Sequence, residues 1–253
     1  MRSAVFGLFF LASSLSFGSE IERGIELFKK RKFDKSFEIL IPFAKNGDKK
    51  AQFYIGLLYD MGSIKMMDKA RAVEWYRKSA EQGYAPAEYD MGVMFSKGEG
   101  IYKDLQEAKE WYLKSAKQNY GYAMYNLGVI YEKGYGEEIN LTKAKEWYQK
   151  AVEQNISKAS FNLANIEFRA KNYKKAFNLY KKASKEGNSK AMFHLAWLYQ
   201  NGKGCEANLS KAKEWYRLSA VKGERDSIKN YSIILESEGK KEEAKFWRRL
   251  LKE

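Results

Sequence analysis

Apolar and polar positions along the chain alternate between two helical patterns. In the first, residues such as Ala123, Leu127 and Tyr131 stand at i, i+4 and i+8, the spacing of one helix face. The second carries the stretch Ala108-Lys109-Glu110-Trp111-Tyr112-Leu113-Lys114-Ser115-Ala116. Its first five residues return as Ala144-Lys145-Glu146-Trp147-Tyr148 and Ala212-Lys213-Glu214-Trp215-Tyr216. A close variant, Ala72-Val73-Glu74-Trp75-Tyr76, precedes them. Self-similarity at a fixed period outranks local readings, because it marks a repeat architecture.

Two columns of small residues set the register. The first is Ala51, Ala87, Ala123, Ala159, Ala191 and Ser227, in steps of 36, 36, 36, 32 and 36 residues. The second is Ala72, Ala108, Ala144, Ala176, Ala212 and Ala244, in steps of 36, 36, 32, 36 and 32. Five residues past the first column stand Gly56, Gly92, Gly128, Ala164, Ala196 and Ser232. A mid-helix Gly costs about 1 kcal/mol relative to Ala, so a column of only small residues predicts a second helix crossing closely there.

Four residues before the second column stand Asp68, Asp104, Asn140, Asn172 and Asn208. Their side-chain oxygens suit the free amides of a first helical turn, and Asp104 with Glu107 fits a capping box. Eleven residues after the column come Gly83, Asn119, Asn155, Gly187 and Gly223, the types that a left-handed C-terminal cap admits. The intervening loop has a long form with paired glycines (Gly98 and Gly100, Gly134 and Gly136, Gly202 and Gly204), while the first such loop keeps only Gly62. Two units lose four residues, leaving Ala164 to Ala176 and Ser232 to Ala244 twelve apart. The region before residue 48 fits the short form through Gly24, Leu27, Phe33, Ser36 and Leu40. The chain thus reads as about seven helix pairs without linkers: 20–47, 48–83, 84–119, 120–155, 156–187, 188–223 and 224–253.

These residues resemble SEL-one-like repeats, with their Ala-x-x-x-Leu-Gly-x-x-Tyr, Gly-x-Gly and Lys-Ala-x-x-Trp-Tyr-x-Lys-Ala-Ala elements and closing Gly. Units 84–119, 120–155 and 188–223 match best, and the short units resemble the related tetratricopeptide repeats. The resemblance implies an all-α fold, an α/α solenoid (superhelix) of antiparallel helix pairs that bury one continuous core by stacking. Trp75, Trp111, Trp147 and Trp215 are then expected to wedge between a unit's helices and its neighbour. Two departures stand out. Glu167 replaces the Tyr of the column Tyr59, Tyr131 and Tyr199, which predicts a looser unit 156–187, and Lys240 replaces an N-cap, which predicts a terminal cap.

Composition adds the compartment. Hydrophobic content of 45% argues against disorder, and the two prolines of the whole chain suit helices. Residues 1–18 read as a cleavable secretory signal peptide: Arg2, then the apolar run Val5 to Leu11, then Ser16 and Gly18 at −3 and −1 of a cut before Ser19. That run is shorter than the roughly 20 residues a membrane span needs, and no other window is long enough. A periplasmic or secreted protein without a transmembrane span is expected. Its only cysteine, Cys205, permits no internal disulfide. The net charge of +14, or +13 once Arg2 is lost, favours acidic peptides, anionic headgroups or an anionic envelope polymer. The excess is spread along the chain, from Lys29-Lys30-Arg31-Lys32 to Arg248-Arg249, and no nucleic-acid motif accompanies it, so nucleic acid is not an expected partner.

No catalytic constellation emerges, and no metal or cofactor is expected. His194 is the single histidine and lacks Cys partners. The Gly-x-Gly loops lack the Lys-Ser/Thr of a phosphate-binding loop. Glu74, Glu110, Glu146 and Glu214 recur with the repeat, as solvated positions would. Ser210 to Lys213 and Ser219 to Lys222 have the Ser-x-x-Lys spacing of penicillin-interacting enzymes, without their companion motifs. Cysteine-rich exported members of the resembled family have been classed as penicillin-binding or β-lactam-hydrolysing. The paired cysteines of those members are missing here, so no catalytic residue carries over.

The tetratricopeptide likeness implies that first helices line a concave groove, with positions two and six past the column Ala pointing into it. These are Phe53 and Leu57, Tyr89 and Val93, Tyr125 and Val129, Phe161 and Asn165, Phe193 and Trp197. Beside them, three past the Ala, runs a column of Tyr54, Asp90, Asn126, Asn162, His194 and Asn230. Aromatic shelves and Asn amides suit an extended protein or peptide segment. The expected function is an exported, non-enzymatic scaffold that binds proteins or peptides, with a β-lactam-active enzyme and a cell-wall or polyanion binder as the alternatives.

Overall fold

The structure, a computed structural model, describes residues 18–62 and 68–251. The signal peptide predicted for residues 1–18 therefore lies outside the described residues, except for Gly18. Among the described residues there are fourteen helices and no strand. They are α1 (18–29), α2 (Phe33–Lys45), α3 (Lys49–Asp60), α4 (Lys69–Glu81), α5 (Ala85–Lys97), α6 (Leu105–Lys117), α7 (Gly121–Lys133), α8 (Leu141–Glu153), α9 (Ser157–Arg169), α10 (Tyr173–Lys185), α11 (Ser189–Asn201), α12 (Leu209–Val221), α13 (Arg225–Ser237) and α14 (Lys241–Arg249). The all-α solenoid class of about seven helix pairs holds. Two compact units divide the chain, residues 1–126 and 127–253. In the first, α2 packs on α3, α3 on α4, α4 on α5 and α5 on α6; in the second, the same succession runs from α8 on α9 to α13 on α14.

Capping sets the lengths of the second helices. Asp68, Asp104, Asn140 and Asn208 accept first-turn amides at 2.8–3.0 Å, and α4, α6, α8 and α12 that follow are each 13 residues long. At the far ends Gly83, Asn119, Asn155, Gly187 and Gly223 all have positive φ, between 58° and 89°. Asn172 departs from the column. It makes no cap bond, and its Nδ2 donates instead to Glu167 Oε2 at 2.6 Å. The capping box of Asp104 is also one-sided, because the Asp104 amide donates to the Phe95 carbonyl at 2.9 Å.

The close crossing falls where the small-residue column predicts it. A Cβ on Gly56, Gly92 or Gly128 would lie 2.5–2.6 Å from Cδ1 of Tyr76, Tyr112 or Tyr148 respectively. These tyrosines, with Tyr180 and Tyr216, form the core of the array, each 0–3% exposed. Tyr stands four residues past the column Ala and so on the same helix face, whereas Trp stands three past it and falls on the flank. The wedge expected of tryptophan accordingly belongs to tyrosine. Only Trp111 is buried, while Trp75, Trp147 and Trp215 are half-buried. Lys78, Lys114 and Lys150 lay their ammonium groups 4.5, 3.8 and 4.4 Å from the rings of Trp75, Trp111 and Trp147, a cation–π contact repeated at i, i+3.

Glu167 does not loosen its unit. In the tyrosine column, Arg71 faces Tyr59, Lys143 faces Tyr131 and Lys211 faces Tyr199 at 5.1–5.8 Å. Where Glu replaces Tyr, an ion pair replaces cation–π contact: Lys145 Nζ lies 2.8 Å from the Glu167 carboxylate, which is buried. Burial pushes that carboxyl up, but hydrogen bonds from Lys145 and Asn172 outweigh it and hold it below the usual carboxylate range. In the last pair, Glu236 bonds Arg248 and Glu238 bonds Lys213 and Lys240, giving α13 and α14 a charged border.

Candidate functional site

The predicted groove residues sit on the first helices α3, α5, α7, α9 and α11. Phe53 is buried, at 9% exposure, while Leu57, Tyr89, Val93, Tyr125, Asn126, Val129, Phe161, Asn162, Asn165, Phe193, His194 and Trp197 are half-buried. Phe53 packs edge-on against Tyr54 and Tyr84 and tilts against Tyr76, so it supports the site from below.

Within residues 1–126 the exposed chemistry is phenolic. Tyr89 lies 5.8, 5.3 and 6.1 Å between ring centroids from Tyr112, Tyr120 and Tyr122. The Tyr112 hydroxyl donates to Ser96 Oγ at 3.5 Å. Burial pushes the Tyr120 phenol up to about 12, with the Asp90 charge adding to it.

Within residues 127–253 the cluster is apolar and neutral. His194 stacks on Tyr180, with centroids 4.9 Å apart and planes 12° from parallel, and Phe161, Phe168 and Phe193 surround it at 5.1–6.1 Å. Trp197 meets Phe168 edge-on at 5.4 Å. Burial drives the imidazole down to about 4, so His194 is neutral at pH 7, against a smaller upward pull from Asp226.

One relation recurs in residues 127–253 and escaped the sequence reading. Two second-helix tyrosines meet the column residue fourteen positions on. Asn162 Nδ2 donates to the Tyr148 hydroxyl at 3.0 Å, and His194 stacks on Tyr180. In Asn165, Oδ1 accepts from the Tyr180 hydroxyl at 2.7 Å. Asn162 and Asn165, both assigned to a peptide, thus already hold the scaffold with one bond each, leaving the rest of each amide's donor and acceptor capacity. A constant interval of fourteen between Tyr and Asn was the available signal.

The other sequence candidates are occupied by structure. Ser219 is buried, donates to the Ser189 carbonyl at 2.7 Å and bonds Ser227 Oγ at 2.7 Å, while Lys213 is paired with Glu238. Ser79 and Ser115 make the equivalent bonds to Lys49 and Ala85 carbonyls, so the serine is a repeat strut. The paired glycines have left-handed backbone, and a Cβ on Gly100 or Gly204 would lie 2.2 or 2.3 Å from the carbonyl oxygen of Lys69 or Tyr173. Among the described residues no three His, Cys, Asp or Glu side chains converge as a metal site, and no helix is long and apolar enough to cross a membrane.

The Sel1 repeat pattern matches residues 49–84, 85–120, 121–156, 157–188 and 189–223. The chain belongs to the Sel1 repeat family. A Sel1 repeat protein from Oxalobacter formigenes is 29% identical, with 92% of this chain and 97% of that chain covered and a TM-score of 0.80. A second solved structure is c5321, a protective antigen of uropathogenic Escherichia coli displaying an SLR fold. It is 26% identical with a TM-score of 0.88, and the match spans 97% of this chain but 55% of that chain. No curated protein matches the chain. As a Sel1 repeat protein, the chain is a helical-repeat scaffold.

Proposed function

We propose that this Sel1 repeat protein is exported through its N-terminal leader and binds extended protein or peptide segments along its first helices. The observation that supports the reading most is the half-buried aromatics on the first helices of each unit, Tyr89 and Tyr125 in one and Phe161, Phe193 and Trp197 in the other, where Asn162 beside them retains hydrogen-bonding capacity. Rings held at their inner edge by the tyrosine core present their outer faces without further ordering cost. The test is affinity capture from the native envelope with Tyr125→Ala, Phe161→Ala and Trp197→Ala, each checked for native helicity. Loss of the captured proteins is expected. Folded variants that capture the same proteins as wild type would remove the groove from consideration. Mass measurement of the exported protein tests the cut before Ser19.

A second reading rests on one depression lined by Lys171, Lys174 and Lys175 with Asn172, Tyr173 and Asn178, which suits an anionic envelope polymer. Binding that vanishes at moderate salt favours it, because screening removes surface charge attraction but not aromatic contact.

A further inference from the structure

The loops that join first to second helices in residues 127–253 lie along one edge, and three contacts fix them there. Lys145, near the start of α8, pairs with Glu167 near the end of α9 at 2.8 Å. A Cβ on Gly204, between α11 and α12, would lie 2.3 Å from the Tyr173 carbonyl oxygen at the start of α10. Lys213, near the start of α12, pairs with Glu238 just past α13. Charge is uneven along this edge. Between Glu167 and Glu186 every charged residue is Lys or Arg. Arg169, Lys171, Lys174 and Lys175 are exposed, and the three lysines line the depression around Tyr173. Lys203 reaches across from the next loop, its ammonium 5.6 Å from the Tyr173 ring, and Glu206 is the one acid of that loop. None of these five cations is in an ion pair among the described residues.

The same edge carries apolar tips. Tyr135 and Ile139 in the α7–α8 loop, with Leu141 and Leu209 at the first positions of α8 and α12, are 48–67% exposed. A soluble polyanion neutralises lysines but offers nothing in which isoleucine and leucine are buried. An anionic bilayer offers both: its surface potential draws the ammonium groups, and the boundary between headgroups and acyl chains takes up the side chains beside them. The Tyr135 ring suits the headgroup level, where amphipathic aromatics collect. We infer that this loop edge docks the protein on an anionic lipid surface. The inference needs neither the peptide groove nor export, and it claims the lysine depression for a bilayer in place of a polymer.

The test is co-sedimentation of the purified protein with vesicles of phosphatidylcholine alone and of phosphatidylcholine with an equal part of phosphatidylglycerol, each variant first checked for native helicity. Binding to the mixed vesicles is expected to be roughly tenfold tighter than to the neutral ones. Lys174→Glu, Lys175→Glu and Lys203→Glu together are expected to remove that difference. Acids at the first two sites suit the first turn of a helix, so this variant is expected to fold. Ile139→Ser with Leu209→Ser is expected to weaken binding about fivefold at unchanged salt dependence. Val221→Ser, at the far end of α12 and 66% exposed in the parent, is expected to change nothing. Equal affinity for the two vesicles, or a folded charge variant that binds as wild type does, overturns the docking edge. A serine pair that binds as wild type does overturns it too, because charge alone then suffices and a soluble polymer is the occupant. The peptide-binding reading fails separately: there, capture survives Phe161→Ala and Trp197→Ala whatever the vesicles do.

Discussion

The two compact units present the same helix register with opposite chemistry. In residues 1–126 the first helices carry phenols and the acid Asp90, while in residues 127–253 they carry Phe, Trp and a neutral imidazole. Behind both faces stands the same tyrosine, four residues past a column Ala and fully or nearly fully buried. The difference teaches a division of labour. Second helices repeat because they carry the tyrosine core, and first helices vary at positions two, three and six past their Ala, most of which are only half-buried.

The largest test removes what the two faces share. Tyr112→Ala and Tyr180→Ala should each cost about 3–5 kcal/mol in denaturant unfolding, as truncation of a buried aromatic does. Trp147→Ala, on the flank, should cost clearly less. Equal losses for Tyr180 and Trp147 would contradict the assignment of the core to tyrosine.

Next comes the crossing itself. Gly92→Ala places a methyl 2.6 Å from the Tyr112 ring and should destabilise by about 1–3 kcal/mol, despite the better helix propensity of Ala. A stabilised Gly92→Ala protein would mean that the helices can part at no cost.

The faces should also differ in the sign of their pH dependence, each by about 1–2 kcal/mol. Asp90 is raised from 3.8 to about 7, so the folded protein binds the extra proton between those values and loses stability as pH rises through that window. His194 is lowered from 6.5 to about 4, so the unfolded chain binds the extra proton and stability is lost as pH falls from 6.5 towards 4. Relative to wild type, the melting temperature at pH 8 minus that at pH 5 should therefore rise in Asp90→Asn and fall in His194→Phe. The same slope change in both variants would show that neither group is responsible.

The smallest effect concerns the exception in the tyrosine column. Glu167→Gln breaks the pair with the partly exposed Lys145 and should cost about 1 kcal/mol at pH 7, less below the carboxyl's own titration, by denaturation at both pH values. A cost that does not change with pH would assign Glu167 a packing role only.

Most of the fold was legible because it is written in spacings. Caps at Asp68, Asp104, Asn140 and Asn208 and stops at Gly83 or Asn119 follow from side-chain chemistry at a fixed offset. Asn172 misled because the shortened loop brings Glu167 within reach of its amide, a competition no column records. Trp drew notice over Tyr by its rarity, although one residue of phase decides which of them faces the core. The candidate site was legible as a column of positions, but not in its electrostatics. That Lys69 joins Asp60 to Glu99 depends on where their segments meet, and no periodicity shows it.

The seat of the long loops carries a consequence for how such a chain changes over generations. Gly100 and Gly204 rest on the opening carbonyls of the second helix one unit back, Lys69 and Tyr173. A duplication or loss of one whole unit brings an equivalent carbonyl beneath the glycine again, while an event that splits a unit strands it. Array length can therefore drift by recombination in whole steps, independently of the point substitutions that retune the outward face. Reach and selectivity are separately heritable traits in this architecture.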